Sequence, residues 1–144
     1  MAKRSSQSAE AAKRFRNTRA AHKDEYAEDY VEAVAQLIEE EGEARVGQLA
    51  GMMGVSHVTV TRIVKRVVEK HLLTTQPYQP IGMTQAGRRL AIRVRKRHES
   101  VLAFLKAIGV PPQEAEIDAE GIEHHVSDAT IRAMRRLTDR LNGG

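Results

Sequence analysis

The segment Asp118-Ala119-Glu120-Gly121-Ile122-Glu123-His124-His125-Val126 concentrates groups able to do chemistry. Read as a helix, it sets Glu120, Glu123 and His124 at i, i+3 and i+4, on one face within a turn. Two carboxylates and an imidazole so placed suit a divalent metal harder than copper. The alternative is a solvated acidic face that carries a surface histidine. Asp29 and Glu32 repeat the i, i+3 carboxylate pairing in a second acidic stretch, where Asp24, Glu25 and Glu28 are expected to be solvated. His98 is the one polar member of an aliphatic stripe formed by Leu90, Val94, Val101, Leu105 and Ile108. It is either a ligand or an interior histidine bonded to a carbonyl. Taken together, Asp29, Glu32, His98, Glu120, Glu123 and His124 supply four carboxylates and two imidazoles. That oxygen-rich set favours Mn(II) or Fe(II) over zinc, copper or nickel, and four carboxylates can neutralise two ions per chain.

Several chemistries are excluded or disfavoured. The chain has no Cys, which removes disulfides, thiolate catalysis and soft metal sites. A carboxylate-bridged di-metal enzyme typically needs two Glu-x-x-His pairs in a helical bundle. Here Glu120 is followed at +3 by Glu123, and Glu123 by Val126, so an enzyme is not expected. No apolar run approaches the roughly 20 residues of a membrane span, and the basic N-terminus lacks an apolar h-region. A cytoplasmic protein is therefore expected.

The elements that must position these groups read as mainly α. Residues 1–10 are small and polar and suggest a mobile arm, and the Ala/Arg/Lys-rich stretch from Ala11 to His22 can become helical. Tyr26, Tyr30, Val34, Leu37 and Ile38 recur at helical spacing in a helix from Asp24 to Glu41, which Gly42 ends. Next, a short helix with Val46, Leu49 and Ala50 inward stops at Gly54. Ser56 is placed to cap a second one, to Lys70, that buries Val60, Ile63, Val64 and Val67. Such a steep, closely packed pair is the helix-turn-helix layout. Leu72–Gln76 and Ile81–Thr84, β-prone around a turn-rich tip from Pro77 to Gly82, make a wing. A long helix from Thr84 to Ile108, a helix from Pro112 to Val126, and a last one from Ala129 to Leu141 with Ile131, Met134 and Leu137 inward complete the chain. The expected division is a basic extension (1–23), a winged helix-turn-helix DNA-binding domain (24–83) and a helical domain (84–144).

Charge is segregated. Residues 1–23 hold seven Lys or Arg against Glu10 alone, and residues 62–97 hold ten against Glu69, whereas 24–43 and 111–128 contain only acids. Two basic surfaces suit a polyanion, and two acidic ones suit cations. On the second helix of the motif, Ser56, His57, Thr59, Thr61 and Arg62 stand where base edges are read, with Lys65 further on to meet phosphate. An ordinary polar helix face is the bland alternative, but a motif and two basic patches coincide here. The basic N-terminus is a candidate for phosphate or minor-groove contact. The run from Arg88 to Arg97 is a solvated face, a partner for the acidic helices, or a DNA contact.

Glu28-Asp29-Tyr30-Val31-Glu32, Ala44-Arg45-Val46, Arg97-His98-Glu99 and Asp118 through Ser127 resemble the manganese transport regulators, the manganese branch of the diphtheria toxin repressor family. The resemblance covers about residues 24–141. It implies a winged-helix domain joined to a helical metal-binding and dimerisation domain, with metal held between them. It also implies a homodimer on a palindromic double-stranded operator, repressing manganese-uptake genes when metal is plentiful. The family's ligands fall on Asp29, Glu32, His98, Glu120, Glu123 and His124. Iron-responsive relatives carry sulfur ligands where this chain has Asp29 and Glu120, so the resemblance implies Mn(II), while the ligand types themselves also admit Fe(II). It further implies that the SH3-like domain of some of those relatives is absent. The family's wing often carries Arg-Gly where this chain has Gln79-Pro80, so a wing contact to DNA is not implied. A metal-independent winged-helix regulator is the rival reading.

Overall fold

The computed structural model describes the backbone of residues 2–143 and the side chains of residues 5–16 and 25–143. In chain order the elements are α1 (Ala2–Glu41), α2 (Val46–Met53), α3 (His57–Glu69), β1 (Leu73–Thr74), β2 (Gly82–Met83), α4 (Gln85–Ala107), α5 (Pro112–Ile122) and α6 (Asp128–Gly143). The chain divides into two compact units, residues 26–99 and residues 1–25 with 100–144.

Helix α1 begins much earlier than the expected start at Asp24, so residues 2–10 are helical where a mobile arm was expected. No Gly or Pro precedes Gly42, and Ala, Arg, Lys, Gln and Glu dominate, all good helix formers. Of the stretch Ala11–His22, the side chains from residue 17 onward lie outside the described residues. Gly42, at φ 84°, ends the helix as expected.

In the 26–99 unit, α1 contributes Ala27, Tyr30, Val31, Val34 and Leu37 to an aliphatic core that Leu49, Val60, Val64, Val67, Leu73, Leu90 and Val94 complete. Gly54 adopts a left-handed conformation (φ 68°) and its N–H closes α2 on Ala50 O. Ser56 then starts α3, its hydroxyl accepting from Thr59 N at 3.2 Å. A left-handed glycine followed two residues later by an N-cap is what turns one helix sharply onto the next. Ile38, a member of the apolar pattern on α1, is 37% exposed.

The wing is a minimal antiparallel pair, Leu73 opposite Met83 and Thr74 opposite Gly82. Its return limb is held from two sides. Ile81 N–H donates to Ala44 O at 2.7 Å. Thr84 Oγ donates to His71 O at 2.7 Å and accepts from Gly87 N at 3.0 Å, so one residue caps α4 and clips it to the base of β1.

The other unit has its own small core of Val101, Leu105, Ala115, Ala119 and Ile131. Two expected core positions are exposed here, Ile108 at 51% and Leu137 at 41%. Ile108 follows the last residue of α4, outside the helical register. On α6, Thr138 rather than Leu137 shares the face of Ile131, since seven residues bring a helix back to nearly the same azimuth and six do not. Its buried hydroxyl is satisfied by Met134 O at 2.7 Å. Helix α5 stops at Ile122, short of the expected Val126. Glu123 N makes its last i−4 bond to Ala119 O, and His125 N then bonds the i−3 carbonyl of Ile122, tightening the final turn.

Candidate metal ligands and nucleic-acid interface

Helix α3 is strongly two-sided. Val60, Val64 and Val67 are buried at i, i+4 and i+7. On the other side His57, Thr61, Arg62 and Lys65 are exposed, and so is Ser56 just before the helix. Thr59 is half-buried, and its hydroxyl accepts from Ser56 Oγ at 3.0 Å. Of the six residues named for DNA, then, Ser56 and Thr59 are partly occupied with holding the helix start, while four present free-standing polar groups. The residue that pattern reading missed is Val58, 78% exposed. It heads the stripe Val58, Thr61, Arg62, Lys65 at i, i+3, i+4 and i+7. Counting a valine as core material hides it; its position opposite Val60 and Val64 was the available signal. An apolar side chain among hydrogen-bonding ones is what a thymine methyl calls for in a major groove.

In the same unit, Asp29 and Glu32 lie one turn apart on α1, both half-buried, and His98 is half-buried near the end of the unit on α4. Burial, and then the negative charge of Asp29, raises the pKa of the Tyr30 hydroxyl above the usual phenol value. Arg95 forms an exposed ion pair with Glu39 at 3.1 Å, so at least one member of the Arg88–Arg97 run faces an acidic helix.

In the other unit, Glu120 is exposed on the last turn of α5, and Glu123 and His124 follow at its C-terminal end. The Glu123 and His124 side chains are 1% and 2% exposed, with Oε1 and Nε2 3.5 Å apart. A buried carboxylate is costly to keep ionised without nearby positive charge. Oxygen and nitrogen donors with no sulfur are chemistry that a hard or borderline divalent cation accepts. His125, to which pattern reading gave no role, lies 3.5 Å from Glu25, both about one-third exposed.

Comparison with known proteins bears on both regions. Residues 24–81 match the family model described as the iron dependent repressor N-terminal DNA binding domain, and residues 84–142 match its metal binding and dimerisation domain. The transcriptional regulator MntR of Escherichia coli O157:H7 is 43% identical over 126 residues, which is 88% of this chain and 81% of that protein. The HTH-type transcriptional regulator MntR of Bacillus subtilis (strain 168) is 38% identical over 100 residues, covering 69% of this chain and 70% of that one. Among solved structures, a manganese-dependent transcriptional repressor in complex with manganese aligns with TM-score 0.70 and 26% identity, over 78% of this chain and 52% of its own. The manganese regulator SloR aligns with TM-score 0.70 at 24% identity, over 78% of this chain and 53% of its own, a likeness of fold. The chain thus spans about half the length of these solved neighbours. Among the described residues, no helix is long and apolar enough to cross a membrane.

Proposed function

Because this chain belongs to the iron-dependent repressor family, we propose that it is a Mn(II)-responsive homodimeric transcriptional regulator that represses manganese-uptake genes when metal is bound. The observation that carries this reading is the buried Glu123–His124 pair at the end of α5, 3.5 Å between donor atoms, inside the domain matched as metal-binding. The remaining proposed ligands are Asp29, Glu32, His98 and Glu120. All six offer oxygen or nitrogen, which selects Mn(II) and admits Fe(II), and four carboxylates balance the charge of two divalent ions.

When bound, the metal supplies positive charge that offsets repulsion among these carboxylates. Its influence on DNA binding comes from tighter binding to one arrangement of the chain than to others, as for any allosteric effector. In the dimer that arrangement holds the two α3 helices about 34 Å apart, one DNA turn, so each enters a major groove of a palindromic site. Val58, Thr61 and Arg62 face base edges, and Lys65 meets the backbone. A cytoplasmic location follows from this role.

The test is selection of sheared genomic DNA by the purified protein with Mn(II), with chelator and with zinc. The expected result is manganese-dependent enrichment of a palindrome beside a metal-transport gene. Equal enrichment with chelator leaves a metal-independent regulator and removes the switch. Glu123→Ala is expected to abolish the manganese dependence while the protein stays dimeric by sedimentation, and a full response from that variant refutes the ligand assignment.

A further inference from the structure

Glu25 is an acid outside both the apolar pattern of α1 and the six proposed ligands, and imidazoles surround it. Its Oε2 lies 3.5 Å from His125 Nε2. One of its carboxylate oxygens also lies within 4.8 Å of a ring nitrogen of His124. These contacts fall inside one compact unit, since residues 1–25 and 100–144 pack together. As a latch the Glu25–His125 pair is weak, because 3.5 Å exceeds a well-formed hydrogen bond and exposed charge pairs contribute little to stability. As two metal donors it is better spaced. Neighbouring donors about 2.1 Å from one octahedral ion stand about 3 Å apart.

Exposure falls in a step across this cluster. The side chains of His125 and Glu25 are 32% and 30% exposed, whereas those of His124 and Glu123 are 2% and 1%. A hydrated divalent ion cannot reach dry donors with its water shell intact, and stripping that shell without replacement is costly. A carboxylate and an imidazole at the boundary can replace the first waters while solvent still covers the rest of the ion. Glu25 reaches both imidazoles, so it stands between the wet donor and the dry ones.

We propose that Glu25 and His125 form a transit site for divalent cations, through which an ion passes between solvent and the buried Glu123–His124 pair. The ligand is a partly hydrated ion of the harder divalent class, which oxygen and imidazole nitrogen accept. Glu25 and His125 hold it only in passing. They lower the barrier to entry and exit alike, so they set how fast the protein follows a change in metal, while the buried donors set the concentration at which it responds. The proposal rests on the reading of Glu123 and His124 as metal donors, and it adds the route that leads to them.

The experiment measures exchange of Mn(II) by the full-length protein. Mixing the metal-loaded protein with an excess of a chelating dye whose fluorescence Mn(II) quenches gives the release rate. The electron paramagnetic resonance signal of hydrated Mn(II) gives the equilibrium affinity, and the two together give the uptake rate. The attraction of a divalent ion to one carboxylate about 4 Å away in water amounts to up to about thirtyfold, and salt reduces it. Glu25→Gln is therefore expected to slow release and uptake by the same factor, about tenfold. Glu25→Asp keeps the carboxylate and should recover most of the rate, and His125→Gln should slow both directions as well. A merely structural Glu25 shifts the melting temperature and leaves the rates alone. Parental rates in Glu25→Gln overturn the proposal, and so does faster release with weaker affinity, which makes Glu25 a resident ligand. A parent protein that takes up no Mn(II), or a Glu123→Ala variant that binds it as the parent does, brings down the donor reading and the transit site with it. Loss of Mn(II) binding in Glu123→Ala beside parental rates in Glu25→Gln removes the transit site alone.

Discussion

Gly87, in the first turn of α4, is predicted to reject even a methyl group. Helix propensity alone says the opposite, because Ala replaces Gly in a helix with a gain of up to about 1 kcal/mol. A Cβ at Gly87, however, would stand 2.1 Å from Leu72 O, a backbone atom that cannot rotate away. Reaching even the shortest tolerated contact requires the helix and the base of β1 to part by about 0.9 Å. Overpacking of this kind costs roughly 1–3 kcal/mol, and the displacement also stretches the Thr84 clip to His71 O and Gly87 N. The net expectation for Gly87→Ala is a loss of about 1–2 kcal/mol, the steric term outweighing propensity. Gly51→Ala on α2 is the matched control, since nothing lies within 4 Å of its added Cβ. It should gain about 0.5–1 kcal/mol. Urea denaturation followed by helical circular dichroism reads both through the shift in midpoint at constant slope. A Gly87→Ala variant as stable as the parent, with Gly51→Ala stabilised, refutes the claim that α4 is locked against Leu72.

Two further outcomes are expected at α3. Ser56→Ala removes the hydroxyl that accepts from Thr59 N at 3.2 Å and should cost about 1 kcal/mol of stability, measured by the same denaturation. An unchanged midpoint would mean that the Thr59 side chain takes over the cap. Val58→Ser tests the exposed apolar residue against base chemistry. On a duplex recovered by manganese-dependent selection, replacing one thymine by uracil deletes only a methyl, so the parent should bind the uracil duplex about threefold to fivefold more weakly. The Val58→Ser variant should bind both duplexes alike. Discrimination retained by the variant shows that Val58 does not face a thymine.

How far the sequence reaches is seen residue by residue. The helix-turn-helix is legible because its signals are local: a glycine that turns left-handed at position 54, a serine able to cap at 56, and valines at 60, 64 and 67 that can share only one face of a helix. The type of every metal-donor candidate is equally a sequence property, since side-chain chemistry does not depend on the fold. The sulfur-free donor set already bounds the ion to the harder divalent metals.

Tertiary structure decided what pattern leaves degenerate. Apolar residues score alike wherever they sit, so Leu137 could be told from core only by what packs around it. Helix α5 ends one residue after a tolerant glycine, through a competition between i−4 and i−3 bonds too close in energy to read from residue types. Nor does residue type say that Glu123 and His124 at that end have buried side chains. Likewise, nothing in Pro77-Tyr78-Gln79-Pro80 says that the tyrosine takes positive φ, or that the next residue, Ile81, bonds Ala44, 37 residues away in the chain. Local sequence determined which groups this protein can bring to metal and DNA. Long-range packing decided which of them are dry, which are strained, and which face solvent, because burial is a property of neighbours and not of the residue itself.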